Sequence, residues 1–476
     1  MRSSRKLPSW QDFLKSATTD YSVSGSLEDV FKWIQTIKDE ISIDIQRIHL
    51  TPLEGWIYDA DEGCIRHESG GFFRIEGIRV KTNLENISEW DQPIINQNEV
   101  GYLGFIVKSF NGVLHFLVQA KIEPGNINYV QLSPTLQATR SNYMGLHKGK
   151  KPMYLEYFLR ASPENILLDN LQSEQGGRFL MKRNRNIIIQ VKEEMKLEHG
   201  FRWLTLNQIK SLMKFDNTVN MDTRSVISGI RYSPFTLNSL SEVDNVPPTL
   251  SLSKSISIGS FTGMGTPLYD LDQILNFITR VKSESTLEVE KIKLSNMREW
   301  SVTDEQISRE DGKYFRIFGV SASIGSRETL SWQQPIVESS QNGICATIGK
   351  MINGILHLIV QAKLECGNRD VIELAPTVQC LTGSYLGEDG YCVPFLEYVL
   401  NSGTNQRLID SMQSDEGGRF YKEENRNIFI VAKDDFNQDL PDNYIWITLG
   451  QLSYLNRFNN FLNIQLRNIL AMVPLT

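Results

Sequence analysis

The stretch NGVLHFLVQAKIEPGN, residues 111–126, returns as NGILHLIVQAKLECGN, residues 353–368, at an offset of 242. Working outward from it, Trp90-Asp91-Gln92-Pro93 returns as Trp332-Gln333-Gln334-Pro335, and LSPTLQ (132–137) returns as LAPTVQ (374–379). Leu155-Glu156-Tyr157 becomes Leu396-Glu397-Tyr398, QSEQGGRF (172–179) becomes QSDEGGRF (413–420), and Asn184-Arg185-Asn186 becomes Asn425-Arg426-Asn427. WLTL (203–206) matches WITL (446–449), and Trp56 matches Trp300. Offsets that stay between 241 and 244 mean that the connecting loops barely changed length. The chain is therefore a duplication of a unit running from about residue 25 to 215 and again from about 268 to 460. The expected organisation is an N-terminal repeat within 1–216, a linker or arm over 217–266 and a C-terminal repeat within 267–476. The middle segment is rich in Ser, Thr, Pro and Gly and includes SLSKSISIGSFTGMG (251–265).

Within each unit the periodicity is mixed. Residues 27–41 and 271–282 space their apolar side chains as helices do. FIVKSF and VLHFLVQAK, joined by Asn111-Gly112, read as a hairpin. IIIQV (187–191) and IFIVA (428–432) read as strands, and TLNQIKSLMKF (205–215) as a helical tail. The class is α+β, with a sheet covered by helices.

Composition narrows the function. The 476 residues carry 49 Lys+Arg against 56 Asp+Glu, a net charge of −7, without a long basic run. Duplex nucleic acid is not an expected partner. No segment reaches the roughly 18 consecutive apolar residues of a membrane span, and the N-terminus lacks the apolar core of a signal peptide. The five cysteines lie far apart without CxxC spacing and read as free thiols in a reducing compartment, so the expected location is cytoplasmic. Neither GxGxxG, a P-loop lysine, HExxH nor GxSxG occurs, so no cofactor and no metal are expected.

Side chains alternate across a strand. Leu114, Phe116, Val118, Ala120 and Ile122 share one face, while His115, Leu117, Gln119, Lys121 and Glu123 share the other, with neighbours about 7 Å apart. The second copy places His357, Gln361, Lys363 and Glu365 in the same way. Two readings fit, a solvated outer face or the wall of a polar ligand site. Retention of the polar types in both copies, while Phe116 becomes Leu358 and Leu117 becomes Ile359, favours the wall. The glycines of QSEQGGRF suit close backbone approach to a ligand. Arg178, Arg185, Arg419 and Arg426 offer forks for a diphosphate. Trp56 and Trp300 fit base stacking and core packing equally well.

Taken together, WxQP, HFLVQAKxExGN, LSPTxQATRSNY, LQSEQGxxF and KRNRN, with their second-half echoes, resemble the NDP-hexose 2,3-dehydratases of deoxysugar pathways across nearly the whole chain. The resemblance implies two tandem Nudix-like α/β/α modules, a homodimer and a dTDP-sugar pocket in each half. The halves differ where Pro124 becomes Cys366 and TRSNY (139–143) becomes LTGSY (381–385). The implied substrate is dTDP-4-dehydro-6-deoxy-glucose, whose C4 ketone acidifies the hydrogen on C3. A base removes that hydrogen, the C2 hydroxyl leaves with help from an acid, and a 3,4-didehydro-2,6-dideoxy sugar nucleotide results.

Candidates for proton transfer are His115 and Tyr143, with Glu123 or Glu174 as the carboxylate. Lys121 and Asn142 are candidates to polarise the ketone. Gln119, Gln137, Thr139, Arg140, Ser141, Arg178 and Arg185 are expected to hold sugar and diphosphate, beside Trp56. The second-half set is Trp300, Arg327, His357, Gln361, Lys363, Gln379, Tyr385, Arg419 and Arg426. The rivals are a Nudix-type nucleotide-sugar diphosphatase and a non-catalytic nucleotide-sugar binding protein. Residues 193–201 mimic the end of the hydrolytic Nudix signature, but Leu197 stands where a glutamate is needed. Without a local cluster of carboxylates, magnesium-dependent hydrolysis is disfavoured.

Overall fold

The computed structural model describes residues 8–84, 88–145, 150–232, 266–325, 329–381, 393–436 and 439–475. Gly101–Phe110 and Val113–Ile122 pair antiparallel with Val107 opposite Phe116. Asn111 and Gly112 turn the chain at φ 50° and 73°, the left-handed pair that a two-residue hairpin needs and that Asn-Gly adopts with least strain. The second copy repeats this at Gly343–Ile352 and Ile355–Leu364, with Asn353 and Gly354 at φ 55° and 78°.

Each hairpin centres a seven-stranded sheet. In the first, Arg183–Gln190 runs parallel to Gly101–Phe110 and pairs on its other side with Ile166–Ser173. Phe201–Thr205 and Val130–Ser133 pair with Val113–Ile122, and Leu136–Ala138 pairs with Gly101–Phe110. The apolar face expected from alternation holds: Leu114, Phe116, Val118, Ala120 and Ile122 share one core with Leu356, Leu358 and Val360 of the other half. Each fully buried side chain of this kind contributes about 1.5–3 kcal/mol. The opposite face is not solvated, since Leu117 is buried in a second core with Ile106, Ile187, Phe201 and Trp203.

The two halves are interlocked rather than laid in tandem. Ile43–Ile48 of the first half adds to Phe315–Ile324 of the second, with Ile43 opposite Ile324. Leu287–Ile292 of the second half adds to Arg74–Thr82 of the first, with Leu287 opposite Thr82. Each half thus lends a strand to a smaller five-stranded sheet of the other. The molecule is mixed α and β, mostly sheet, in two repeated halves.

The segment expected as a linker begins as core. Met221–Ser228 is a helix capped by Asn220, and every one of its residues is buried. Its counterpart Ile464–Met472, capped by Asn463, packs against it. The repeat therefore runs beyond 215 and 460. Hydrophobic pattern did not reveal this helix because polar partners from the other half satisfy it. The buried Arg224 guanidinium donates to Val219 O (3.0 Å), Ser414 O (2.7 Å) and Gln413 Oε1. Arg467 donates in turn to Leu462 O (2.9 Å), Gln172 Oε1 (3.1 Å) and Ser173 O. Residues 233–265 of the expected linker, with Arg327 and Tyr385, lie outside the described residues. Among the described residues no helix is long and apolar enough to cross a membrane.

Candidate active site

The polar side of Val113–Ile122 has two different ends. At one end His115 is buried, and its imidazole is tied locally: Nδ1 donates to Val113 O (3.0 Å) while Nε2 accepts the Val23 N–H (3.2 Å). His357 repeats this with Ile355 O (3.1 Å) and the Leu268 N–H (2.9 Å). Burial pushes both imidazoles below the ordinary histidine range. At the other end Lys121 and Glu123 open into a cavity of about 440 Å³. A rise of about 3.3 Å per residue leaves His115 some 26 Å from Glu123. His115 is accordingly not among the cavity-lining residues, and its role is to pin an N-terminal segment.

Segments far apart in sequence converge on the cavity. The first half supplies Trp56, Lys121, Glu123, Gln137, Thr139, Asn142, Glu174, Lys182, Asn184 and Asp222. The second half supplies Trp332, Gln334, Glu416 and Arg419. Trp56, His67, Phe72, Phe73 and Trp332 make an aromatic portion. Trp56 packs on Phe73 at 4.6 Å and donates to Gln333 O at 2.9 Å, and Arg419 lies over the Phe73 ring at 4.3 Å. A volume in the range of about 300–1,000 Å³ suits a small organic ligand.

The floor is an acid–base cluster. Lys121 Nζ donates to Gln137 O (3.0 Å) and lies 3.9 Å from Glu123 Oε1. Gln137 Nε2 donates to the same Glu123 oxygen (3.0 Å), and Glu123 Oε2 has no hydrogen-bond partner. Glu416 is pushed up to about 7, first by burial and then by the negative charge of Glu123. Burial also raises Glu174, and it raises Asp222 well above the carboxylate range. Lys182, which donates to Glu99 O, is lowered by burial to about 8. The sequence shows no local run of carboxylates, yet the fold assembles four of them. Among the described residues, the acidic group with chelating spacing is Glu62, Cys64 and Glu76, outside the cavity, where Arg74 and Lys291 pair with the carboxylates.

The second half forms a mirrored cluster with altered chemistry. Gln379 Nε2 donates to Glu365 Oε1 at 2.9 Å beside Lys363, and Arg178 of the first half lies near Glu365. At the matching positions, however, Glu416 is replaced by Gln175, Asp222 by Gln465 and Lys182 by Glu423.

Several expected ligand contacts are spent elsewhere. Arg185 is a bidentate partner of Asp169 (2.7 and 2.6 Å), and Arg426 of Asp410 (2.7 and 2.8 Å), so neither fork is offered to a diphosphate. Gln119 does not line the cavity, and Gln361 donates to Pro376 O (2.9 Å). Tyr143 packs edge-on against Tyr102 at 5.7 Å, Arg140 is exposed, and Ser141 N donates to Glu99 Oε2 (2.7 Å). Trp300 donates to Asp91 O (2.7 Å) inside the core of the smaller sheets. Gly176 of QSEQGGRF admits the other repeat's turn, since a Cβ there would meet Asn368 Oδ1 at 2.1 Å, whereas a Cβ at Gly177 would meet nothing within 4 Å.

Sequence reading missed Lys182, Asp222 and Glu416. A signal for two of them was present, since Gln175/Glu416 and Lys182/Glu423 are places where otherwise matching motifs diverge. Asp222 lay beyond the recognised end of the repeat.

Buried carboxylates whose pKa values are raised, cationic side chains and an aromatic portion thus line one cavity. The chain matches the NDP-hexose 2,3-dehydratase family twice, over residues 27–230 and 271–473, and belongs to that family. It is 40% identical over 440 residues to a dTDP-4-dehydro-6-deoxy-alpha-D-glucopyranose 2,3-dehydratase of Saccharopolyspora spinosa, covering 92% of this chain and 89% of the relative. It is 38% identical over 471 residues to the protein of that name from Amycolatopsis orientalis, covering 97% and 92%. A third, from Streptomyces violaceoruber, is 40% identical over 432 residues, covering 90% and 93%.

Proposed function

We propose that this protein is a dTDP-4-dehydro-6-deoxy-D-glucose 2,3-dehydratase of deoxysugar biosynthesis and that the reaction takes place in the first-half cavity. The observation that carries this is that Glu123 and Glu416, carboxylates from different halves, line one cavity, where burial first and then the charge of Glu123 push Glu416 up to about 7. Neighbouring acids whose proton affinities are driven apart divide into a base and an acid.

Glu123 removes the C3 hydrogen as a proton, and the C–H electrons form the enolate of the C4 ketone. Lys121 and Lys182 supply positive charge for the enolate oxygen. The enolate collapses, the C2–O bond breaks, and Glu416 protonates the departing hydroxyl, which leaves as water. The C2–C3 enol then tautomerises: Glu123 returns its proton to C2 and Glu416 takes the proton of the C3 hydroxyl. Both side chains recover their starting states and the product is the 3,4-diketone. Arg419 and the aromatic portion receive the nucleoside diphosphate. In the second half, amides stand in place of the acid and of Asp222, which supports assigning the chemistry to the first.

We further propose that each half is a Nudix-like α/β/α module, that the active species is a homodimer and that the enzyme works in the cytoplasm. Light scattering tests the dimer.

The deciding experiment incubates the protein with dTDP-4-dehydro-6-deoxy-glucose, with and without a chelator, and reads products by mass. Loss of one water without added metal is expected. Release of a sugar phosphate only with magnesium would establish a diphosphatase instead, and retention of unchanged sugar nucleotide a binding protein.

A further inference from the structure

We propose that Asn220 is a positioning residue for Glu123, acting through the Gln137 amide to hold the Glu123 carboxylate in place at the cavity wall. The inference rests on the reading of the first-half cavity as the dehydratase site.

The direction of this relay is forced by a helix end. Asn220 caps Met221–Ser228, and its Oδ1 accepts the Thr223 N–H at 2.9 Å. With the oxygen committed, only Nδ2 is left to face the strand, and it donates to Gln137 Oε1 at 2.9 Å. Gln137 must then present its own Nε2 to Glu123, and it donates to Glu123 Oε1 at 3.0 Å. Glu123 is 4% exposed, and its second oxygen has no hydrogen-bond partner where the side chain lines the cavity. An amide donor on one oxygen fixes the carboxylate plane where the side chain meets the cavity. The Gln137 carbonyl also accepts Lys121 Nζ, so the same residue sets both the base and a neighbouring cation.

Capping alone does not explain the choice of asparagine. Serine and aspartate cap about as well, but neither offers a second-side N–H donor. The other half keeps the same arrangement: Asn463 Oδ1 accepts the Leu466 N–H (3.0 Å), Nδ2 donates to Gln379 Oε1 (2.7 Å), and Gln379 donates to Glu365 (2.9 Å). Asn463 therefore serves as an internal control, with the same cap and relay at a site that lacks the counterpart of Glu416.

The test uses Asn220→Ser and Asn220→Asp in the full chain, with Asn463→Ser as control. Both substitutions at 220 keep the cap acceptor and lose the amide N–H donor; the thermal midpoint of Asn220→Ser stays near that of the parent, while Asn220→Asp, which buries a carboxylate against Gln137 Oε1, lowers it. The bond lost joins two neutral amides, so kcat falls about twofold to tenfold while KM holds. The fall in kcat at constant KM marks a misplaced base, a split that a merely structural role would not give. The other charged groups facing Glu123 are Lys121, Glu416 and Asp222, with Glu174 and Arg419 behind them, and none is altered. Gln137→Met breaks the relay without touching the helix and gives the same kinetic signature. Asn463→Ser leaves turnover unmoved.

Parental kcat in Asn220→Ser would overturn the inference, as would a loss that follows the thermal midpoint and appears equally in Asn463→Ser. If the parent itself releases no water from the 4-keto sugar nucleotide, the dehydratase reading fails and the relay falls with it. If the parent is active and the variants match it, only the relay fails.

Discussion

Gly125 donates its backbone N–H to Gly417 O at 2.7 Å, joining the turn after the central strand of the first half to the Gly-Gly turn of the second. Gly367 and Gly176 make the reciprocal contact at the same distance. Arg224 and Arg467 brace these turns from behind, each reaching into the other half. Because Glu416 and Arg419 sit on the turn that Gly125 holds, the same contact that joins the halves completes the cavity.

Gly125→Ala tests that contact. A Cβ there would lie 1.7 Å from Phe420 O and 2.7 Å from Gly417 O, both backbone atoms that cannot swing aside. Overpacking of this kind costs about 1–3 kcal/mol or more. A lower midpoint in chemical denaturation is expected, together with reduced turnover; an unchanged midpoint would refute the docking role.

Glu416→Gln tests the acid. Turnover is expected to fall by about 10²–10⁴ while substrate binding, read by calorimetry, persists. In the parent, kcat falls as pH rises through about 7, where Glu416 loses its proton. The same group links stability to pH. Its folded pKa is raised from an ordinary value of 4.5, so its contribution is complete below that pH and is lost as pH rises through about 7. Thermal melts of the parent should decline across that window, and less steeply in Glu416→Gln.

Arg419→Ala and Arg185→Ala separate a cavity cation from a surface fork. Arg419 lines the cavity, so its loss raises KM for the sugar nucleotide. Arg185 is committed to Asp169, a partly exposed pair worth about 0–1 kcal/mol, and its loss leaves KM as it was. Equal KM effects from both would contradict the placement of the diphosphate.

His115→Ala is expected to lower the melting temperature and to spare kcat measured below the transition. The ring holds Val23 and Val113, not a ligand. A selective collapse of kcat with normal stability would return His115 to the chemistry.

The central hairpin, the sidedness of Val113–Ile122 and the two helices near residues 27 and 271 were legible because they depend on neighbours a few positions away. Lys121, Glu123, Gln137 and Glu174 were legible as candidates because matching motifs carry them. Arg185 was misread for a physical reason: a guanidinium at a strand position has the same local sequence whether it faces a diphosphate or Asp169 across the sheet.

By itself the sequence determined that one unit occurs twice, which strands and turns each unit contains, and which family the chain resembles. The tertiary structure alone decided that the halves trade strands, that Met221–Ser228 belongs to the core, and that Glu416 and Glu123 line one cavity. Local periodicity is set by backbone geometry within a few residues. A proton affinity near neutrality arises only when groups distant along the chain are buried together, and their chain order carries no record of that meeting.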